Sequence, residues 1–394
     1  MVRSMSVMCL LSLAVLLIGC KEATVTPLPP PSLAFTSLAA GGYHSLALDE
    51  RGHAWSWGWN EYGQLADGGT TGRGAPVSVL AAEGTSIAAV AAGGLYSFLL
   101  DADGNTWAAG FNEDGQLGDG TTAGRTLPVR VEVPAGVSLT SVAAGDFHTV
   151  ALDVDGNAWA WGFNDDGQLG DRSTASRASP VRVNLPDGVA LTCVAAGGLH
   201  SLALDADGNA WAWGFNRDGQ LGDATITRRT TPVEVAMPEG VTFTSLVAGE
   251  RHSIALDEHG NAWTWGSNVY GQLGDGTAFR RTTPVRVTMP ALVRFVAVAA
   301  GGQHSVALDQ YGNVWGWGRN DQGQLGDTTT FNRFSPSQAY LPAGVTFTVI
   351  AAGYQHSLAL DEHGNGWGWG RNVAGQLGIG NLEEQRSPVV VAMP

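Results

Sequence analysis

The chain has 394 residues, 55 of them Gly and 14 Trp, and a formal charge of −15. With 44% hydrophobic and 14% charged residues it is too apolar for disorder, and its Gly content follows no collagen period. Three cysteines (Cys9, Cys20, Cys193) cannot make a disulfide framework, and an acidic chain without a basic cluster is a poor ligand for nucleic acid.

Residues 1–19 have the layout of an export signal. Arg3 lies near the amino terminus, and an apolar stretch from Val7 to Gly19 follows, too short to span a bilayer. It ends in Leu17-Ile18-Gly19-Cys20, which resembles the cleavage box of bacterial lipoproteins. That resemblance implies that Cys20 becomes the lipidated first residue of the mature chain. The alternatives are an ordinary secretory signal or an uncleaved anchor, but a Cys directly after a small residue favours lipidation. Residues 20–32 then form a tether, in which Pro27, Pro29, Pro30 and Pro31 favour an extended polyproline II spacer of about 3 Å per residue. The expected location is the cell envelope, extracytoplasmic and lipid-anchored, at a bacterial outer membrane or cell surface. By the same resemblance, Lys21 after the Cys is compatible with outer-membrane sorting.

Residues 33–394 are repetitive. His44, His148, His200, His252, His304 and His356 lie on one 52-residue comb, with Tyr96 in the missing place. Asn60 through Asn372 and the Gly-Gln-Leu triplets beginning at Gly63 keep the same spacing, so seven units follow without insertion or deletion. Each unit predicts four strands; in the third these are Leu139–Gly145, His148–Asp153, Asn157–Gly162 and Pro180–Val183. Asp155-Gly156-Asn157 fits a tight hairpin turn. Four antiparallel strands repeated seven times predict an all-β fold, a seven-bladed propeller, with radial closure protecting the strand edges. The terminal SPVVVAMP segment is expected beside the first repeat, closing the ring.

Two segments, GGLHSLALDADGNAWAWGFNRDGQLGD at 197–223 and GYQHSLALDEHGNGWGWGRNVAGQLGI at 353–379, resemble the repeats of the regulator of chromosome condensation family. The pattern recurs in every unit; Tyr96, Ala109, Ala66 and Ile379 depart from it. The resemblance implies a seven-bladed propeller. It also offers several roles: guanine-nucleotide exchange on a small GTPase with docking on chromatin, ultraviolet-B sensing, or, in secreted bacterial members, inhibition of β-lactamases. The export signal and the missing basic tail argue against the nuclear role. The photoreceptor's Trp two residues before certain His has no counterpart, because Gly42, Gly94, Asp146, Gly198, Glu250, Gly302 and Tyr354 stand there.

Repeated residues have repeated duties. Trp55 and Trp57, with their counterparts, are expected to pack blade against blade, and Ala109 to leave a looser contact in the second blade. The His-Ser pairs are expected to satisfy backbone groups rather than to perform catalysis. Asp153-x-Asp155 lacks the Gly and Glu of a calcium loop, since Ala158 and Asn164 occupy those positions, so a hairpin turn is expected and no metal. Cys193 stands where other units have a small residue, and is expected to be buried. No catalytic group and no cofactor is expected.

Positions that vary are free to meet a ligand. The residue before the His runs Tyr43, Leu95, Phe147, Leu199, Arg251, Gln303, Gln355, and the one after W-x-W-G runs Trp59, Phe111, Phe163, Phe215, Ser267, Arg319, Arg371. Both series turn from apolar to polar or basic at the fifth unit, which predicts an apolar arc facing a cationic one. The resemblance places both positions on one face, near the central funnel. Tyr43, Trp59, Phe111, Phe147, Phe163, Phe215, Arg251, Arg319 and Arg371 are therefore the candidate surface for another protein. The reading is a lipid-anchored protein-binding propeller that is not an enzyme; the rival is an exchange factor acting on a GTPase.

Overall fold

The computed structural model describes residues 33–81 and 85–393. The signal peptide, Cys20 and the tether expected in residues 1–32 lie outside them.

Period-2 alternation produces four strands in each unit. In the first they are β1 (Phe35–Ala40), β2 (His44–Asp49), β3 (Ala54–Gly58) and β4 (Arg73–Ser78), paired antiparallel in that order. The same four-stranded sheet forms in each of the other six units, and among the described residues there is no helix. The fold is an all-β propeller of seven blades. The ends of β1 and its equivalents, with the glycines that follow, line a central channel. The channel wall is tight: a Cβ on Gly41 would come within 2.4 Å of the Gly93 carbonyl oxygen and of the His44 ring.

Four boundaries move in the third unit, two of them ends that fall one residue early, at Ala144 and Arg182. The third unit's outer strand runs Arg177–Arg182, three residues earlier than the sequence suggests, because Arg177 is clamped by Asp171 through Nε at 3.0 Å and Nη2 at 2.8 Å. Pro180 lies within this strand, where a missing N–H is tolerated on the outer edge and discourages edge pairing. The third strand begins at Ala158 rather than Asn157, whose side-chain amide turns back to Asp153. Asp153 Oδ1 also accepts the backbone N–H groups of Asp155 and Asn157, so this carboxylate is spent on the hairpin turn. Its indole neighbour uses the other oxygen, Trp159 Nε1 donating to Oδ2 at 2.9 Å.

The last strand, Gln385–Val390, pairs within its own blade, and the terminal segment lies beside the first repeat by packing, Val391 sharing a core cluster with Phe35, Ala47 and Trp57. Repeat and blade share one phase, so no strand is left over to exchange. Closure comes from Trp57 Nε1 donating to the Gln376 carbonyl at 2.9 Å and from Phe35 N donating to the Gly364 carbonyl at 2.9 Å.

The blade interfaces explain the composition. Trp57, Trp161, Trp213, Trp265, Trp317 and Trp369 are fully buried, each donating Nε1 to the carbonyl of a Gln in the preceding blade. Each hides about 150–250 Å², worth roughly 4–6 kcal/mol as an upper bound. The Trp55 series is only partly buried, apart from Trp211. Trp161 lies so close to Gly118 that a Cβ there would sit 2.8 Å from Nε1. Where the second blade replaces this Trp with Ala109, the facing Gly becomes Ala66. In the same cluster Leu99 stands where the six other units have Ala in the core. The looser contact expected at Ala109 is thus partly refilled from both sides.

A polar belt runs beneath the channel wall. His44 Nε2 meets Ser97 Oγ of the next blade at 2.8 Å, and equivalent bonds of 2.8–3.1 Å follow for the other five His, the last joining His356 to Ser45. At the exception, the Tyr96 hydroxyl donates to the His148 carbonyl at 2.6 Å. Each Ser hydroxyl donates to a Gln carbonyl, as Ser97 does to Gln64 at 2.7 Å and Ser201 to Gln168 at 2.8 Å. With that proton committed, the imidazole must donate from Nε2, leaving Nδ1 without a hydrogen-bond partner among the described residues. Burial holds His44, His148, His200, His304 and His356 near a pKa of 3, and His252 near 4. The His-Ser contact is a neutral structural bond that ties each blade to the next.

Candidate partner-binding face

The two varying positions are brought together in every blade by one main-chain bond. Trp59 N donates to the Tyr43 carbonyl, Phe163 N to Phe147, Phe215 N to Leu199, and Arg371 N to Gln355, all at 2.9 Å, with the other three blades alike. Because His44 pairs with Gly58, the residue before one strand and the residue after the next must emerge at the same end of the blade. All nine predicted residues therefore share one face. Phe147 and Arg251 are exposed, and the other seven are half-buried.

Their arrangement differs from two opposed arcs. Each Arg lies over an aromatic ring: Arg251 over Phe215 at 5.8 Å, Arg319 over Tyr270 at 5.3 Å and Arg371 over Tyr43 at 5.8 Å. The ring of blades brings the seventh against the first, so the cationic arc runs directly into the aromatic one. Acids also meet two of these cations. Arg319 makes a bidentate pair with Asp321, 2.8 Å from Nε and 2.6 Å from Nη2, and Arg251 lies 3.5 Å from Asp218 and 3.6 Å from Glu250. The Asp321 hydrogen bonds hold the Arg319 guanidinium above its ordinary pKa. Among the described residues Arg371 has no acid partner; Nη1 donates to Gln355 Oε1 at 2.5 Å and Nε has no hydrogen-bond partner among them.

The aromatic side falls into three separate groups of rings. Tyr43 packs on Trp59 at 5.3 Å and edge-on against Tyr354 at 5.4 Å, and Phe147 meets Phe163 at 6.3 Å. Phe111 is capped by Tyr62 at 5.1 Å.

Three further residues shape the centre of this face: Asp146, Glu250 and Tyr354. They replace Gly at the comb position two before the His, and that break was visible in the chain as a departure from repetition. Around them opens a mouth of ≈ 380 Å³, bordered also by Tyr43, Phe147, Gln303 and Arg319, which shares Asp146, Glu250 and Tyr354 with the channel lining. Desolvation raises Asp146 to about 7; the nearby Tyr354 hydroxyl opposes this rise and the Glu250 charge adds to it. Cys193 is partly rather than fully buried, and burial raises its thiol pKa.

Comparison with known proteins decides the family. The model of the RCC1-like domain matches residues 174–394, and models of the regulator of chromosome condensation (RCC1) repeat match 35–64, 51–100, 103–152 and 139–168. The chain belongs to the RCC1 repeat family. Among RCC1-repeat relatives, the Ultraviolet-B receptor UVR8 of Arabidopsis thaliana is 31% identical over 355 residues, covering 90% of this chain and 81% of UVR8. The E3 ubiquitin-protein ligase HERC2 of Homo sapiens is also 31% identical, over 88% of this chain, which spans only 7% of HERC2. Of solved RCC1-like structures, human WBSCR16 superposes with a TM-score of 0.77 at 25% identity, covering 87% of this chain and 94% of its own. Prp20p of Saccharomyces cerevisiae, described with its binding to Gsp1p and histones, gives 0.74 at 26% identity and 82% of each chain.

Proposed function

We propose that this RCC1-repeat propeller is a protein-binding module without chemistry of its own. Residues 1–19 serve as its export signal, Cys20 as its lipid anchor at the cell envelope, and residues 20–32 as its tether. The observation that carries the binding role is that the two varying comb positions, with Asp146, Glu250 and Tyr354, gather on one face, whereas the invariant side chains are spent on packing and turns. A rigid ring presents that face preorganised, which lowers the ordering cost of association. Crosslinking and capture from intact cells, with wild type beside Phe163→Ala and Arg319→Ala, tests the face. Both variants should lose the partner while keeping the wild-type melting temperature; equal capture by both sinks the reading. Palmitate labelling that persists in Cys20→Ala would refute the anchor.

A second reading, regulation of a small GTPase by nucleotide exchange, draws on the similarity to Prp20p, which binds Gsp1p. It requires the chain to stay in the cytoplasm. Loss of lipid labelling on Cys20→Ala would count against it.

A further inference from the structure

We infer that the mouth of the central channel is a socket for a cationic side chain, the ammonium or guanidinium tip of a Lys or Arg that the partner inserts. The sequence comb supplies the first argument. At this position four blades keep Gly, and the three that break it place Asp146, Glu250 and Tyr354 around one opening. Residues that serve the scaffold recur; these depart from it at one shared place.

The chemistry of the lining supplies the second. Two carboxylates and the aromatic rings of Tyr43, Phe147 and Tyr354 border a space of ≈ 380 Å³. An organic cation is held by acid on one side and by the faces of aromatic rings on the other. The cation already present, Arg319, is neutralised by its bidentate pair with Asp321, and Arg251 shares its charge between Asp218 and Glu250. Asp146 forms no salt bridge among the described residues, and its neighbours are Tyr354 and a second acid. A carboxylate desolvated without a counter-charge is costly, and an incoming cation removes that cost. The channel behind the mouth, lined mainly by Ala and Gly of all seven blades, holds only ≈ 80 Å³, room for a side-chain tip rather than a whole small molecule.

The source of the cation rests on the protein-binding reading; the socket itself is tested without a partner. The full chain in detergent is titrated with N-acetyl-Gly-Lys-Gly-amide, beside peptides carrying norleucine or Glu in place of Lys. The readout is saturation transfer to the peptide's side-chain protons. The Lys peptide should bind, with saturation strongest at its ε-methylene, and the Glu peptide should not. Asp146→Asn and Glu250→Gln should each weaken binding about fivefold to tenfold, while Phe279→Ala on the exposed rim changes nothing. Equal binding of the norleucine peptide, no binding of the Lys peptide, or full binding by the double variant Asp146→Asn/Glu250→Gln would each overturn the socket. The two readings fail separately. Capture that survives Phe163→Ala and Arg319→Ala sinks the face, and loss of Lys-peptide selectivity with capture intact sinks only the socket.

Discussion

Acidification from pH 7 to 5 should dismantle the ring through its His belt. The six belt imidazoles are fully buried and held near a pKa of 3, or 4 for His252, against 6.5 in the unfolded chain. The unfolded state therefore binds more protons throughout this window, so stability present above 6.5 falls as the pH drops. Between pH 7 and 5 each His costs about 2 kcal/mol, roughly 11 kcal/mol for six independent sites. Asp146 works in the opposite sense: raised to about 7 in the fold, it takes up its proton before the unfolded chain does and returns about 2 kcal/mol. The hairpin and Arg-paired carboxylates, such as Asp153 and Asp171, lie below 3.8 in the fold and so act only at lower pH. The net loss of about 9 kcal/mol is comparable to the whole stability of an ordinary domain. Urea unfolding followed by Trp fluorescence should show an uptake of about four to five protons on unfolding near pH 5.5. His200→Gln should lower that uptake by about one. A midpoint that stays constant from pH 7.5 to 5 would refute the neutral belt.

Other outcomes follow from the irregular blades. Ala109→Trp alone should destabilise by about 1–3 kcal/mol through overpacking against Ala66 and Leu99, whereas the triple variant with Ala66→Gly and Leu99→Ala should recover most of the loss in urea melts. The seventh blade lacks the Asp-Arg pair that joins Asp171 to Arg177 elsewhere, holding Ile379 and Gln385 instead. Installing both, Ile379→Asp with Gln385→Arg, should stabilise by about 0.5–1 kcal/mol and Ile379→Asp alone by less, as a double-mutant cycle on thermal melts would report.

Much of this was legible because repetition amplifies weak signals. A single W-x-W-G says little, but six at constant spacing, with Trp107 holding the place in the second unit, define strands, turn and blade. The carboxylates at Asp153 and its counterparts read correctly as turn residues, because the spacing to Asn157 and Trp159 is local. The extra length of the Arg177–Arg182 strand was hidden, since it depends on a pair formed across a loop. The compensation among Ala66, Leu99 and Ala109 was hidden too, because it joins two blades. The two-arc surface read from Arg251, Arg319 and Arg371 treated each side chain alone. In the ring each Arg finds an aromatic ring and two find an acid.

The sequence by itself determined the architecture: a 52-residue period with strand alternation admits one way to bury seven Trp-bearing sheets, around an axis. It also marked which residues break the pattern. Only the tertiary structure decided what the breaks do. Asp146, Glu250 and Tyr354 are 104 residues apart in succession along the chain and become neighbours when closure of the ring carries their blades around one channel. The same closure sets His44 against Ser97 rather than Ser45, because a strand sends adjacent side chains to opposite faces and the next blade supplies the nearer hydroxyl.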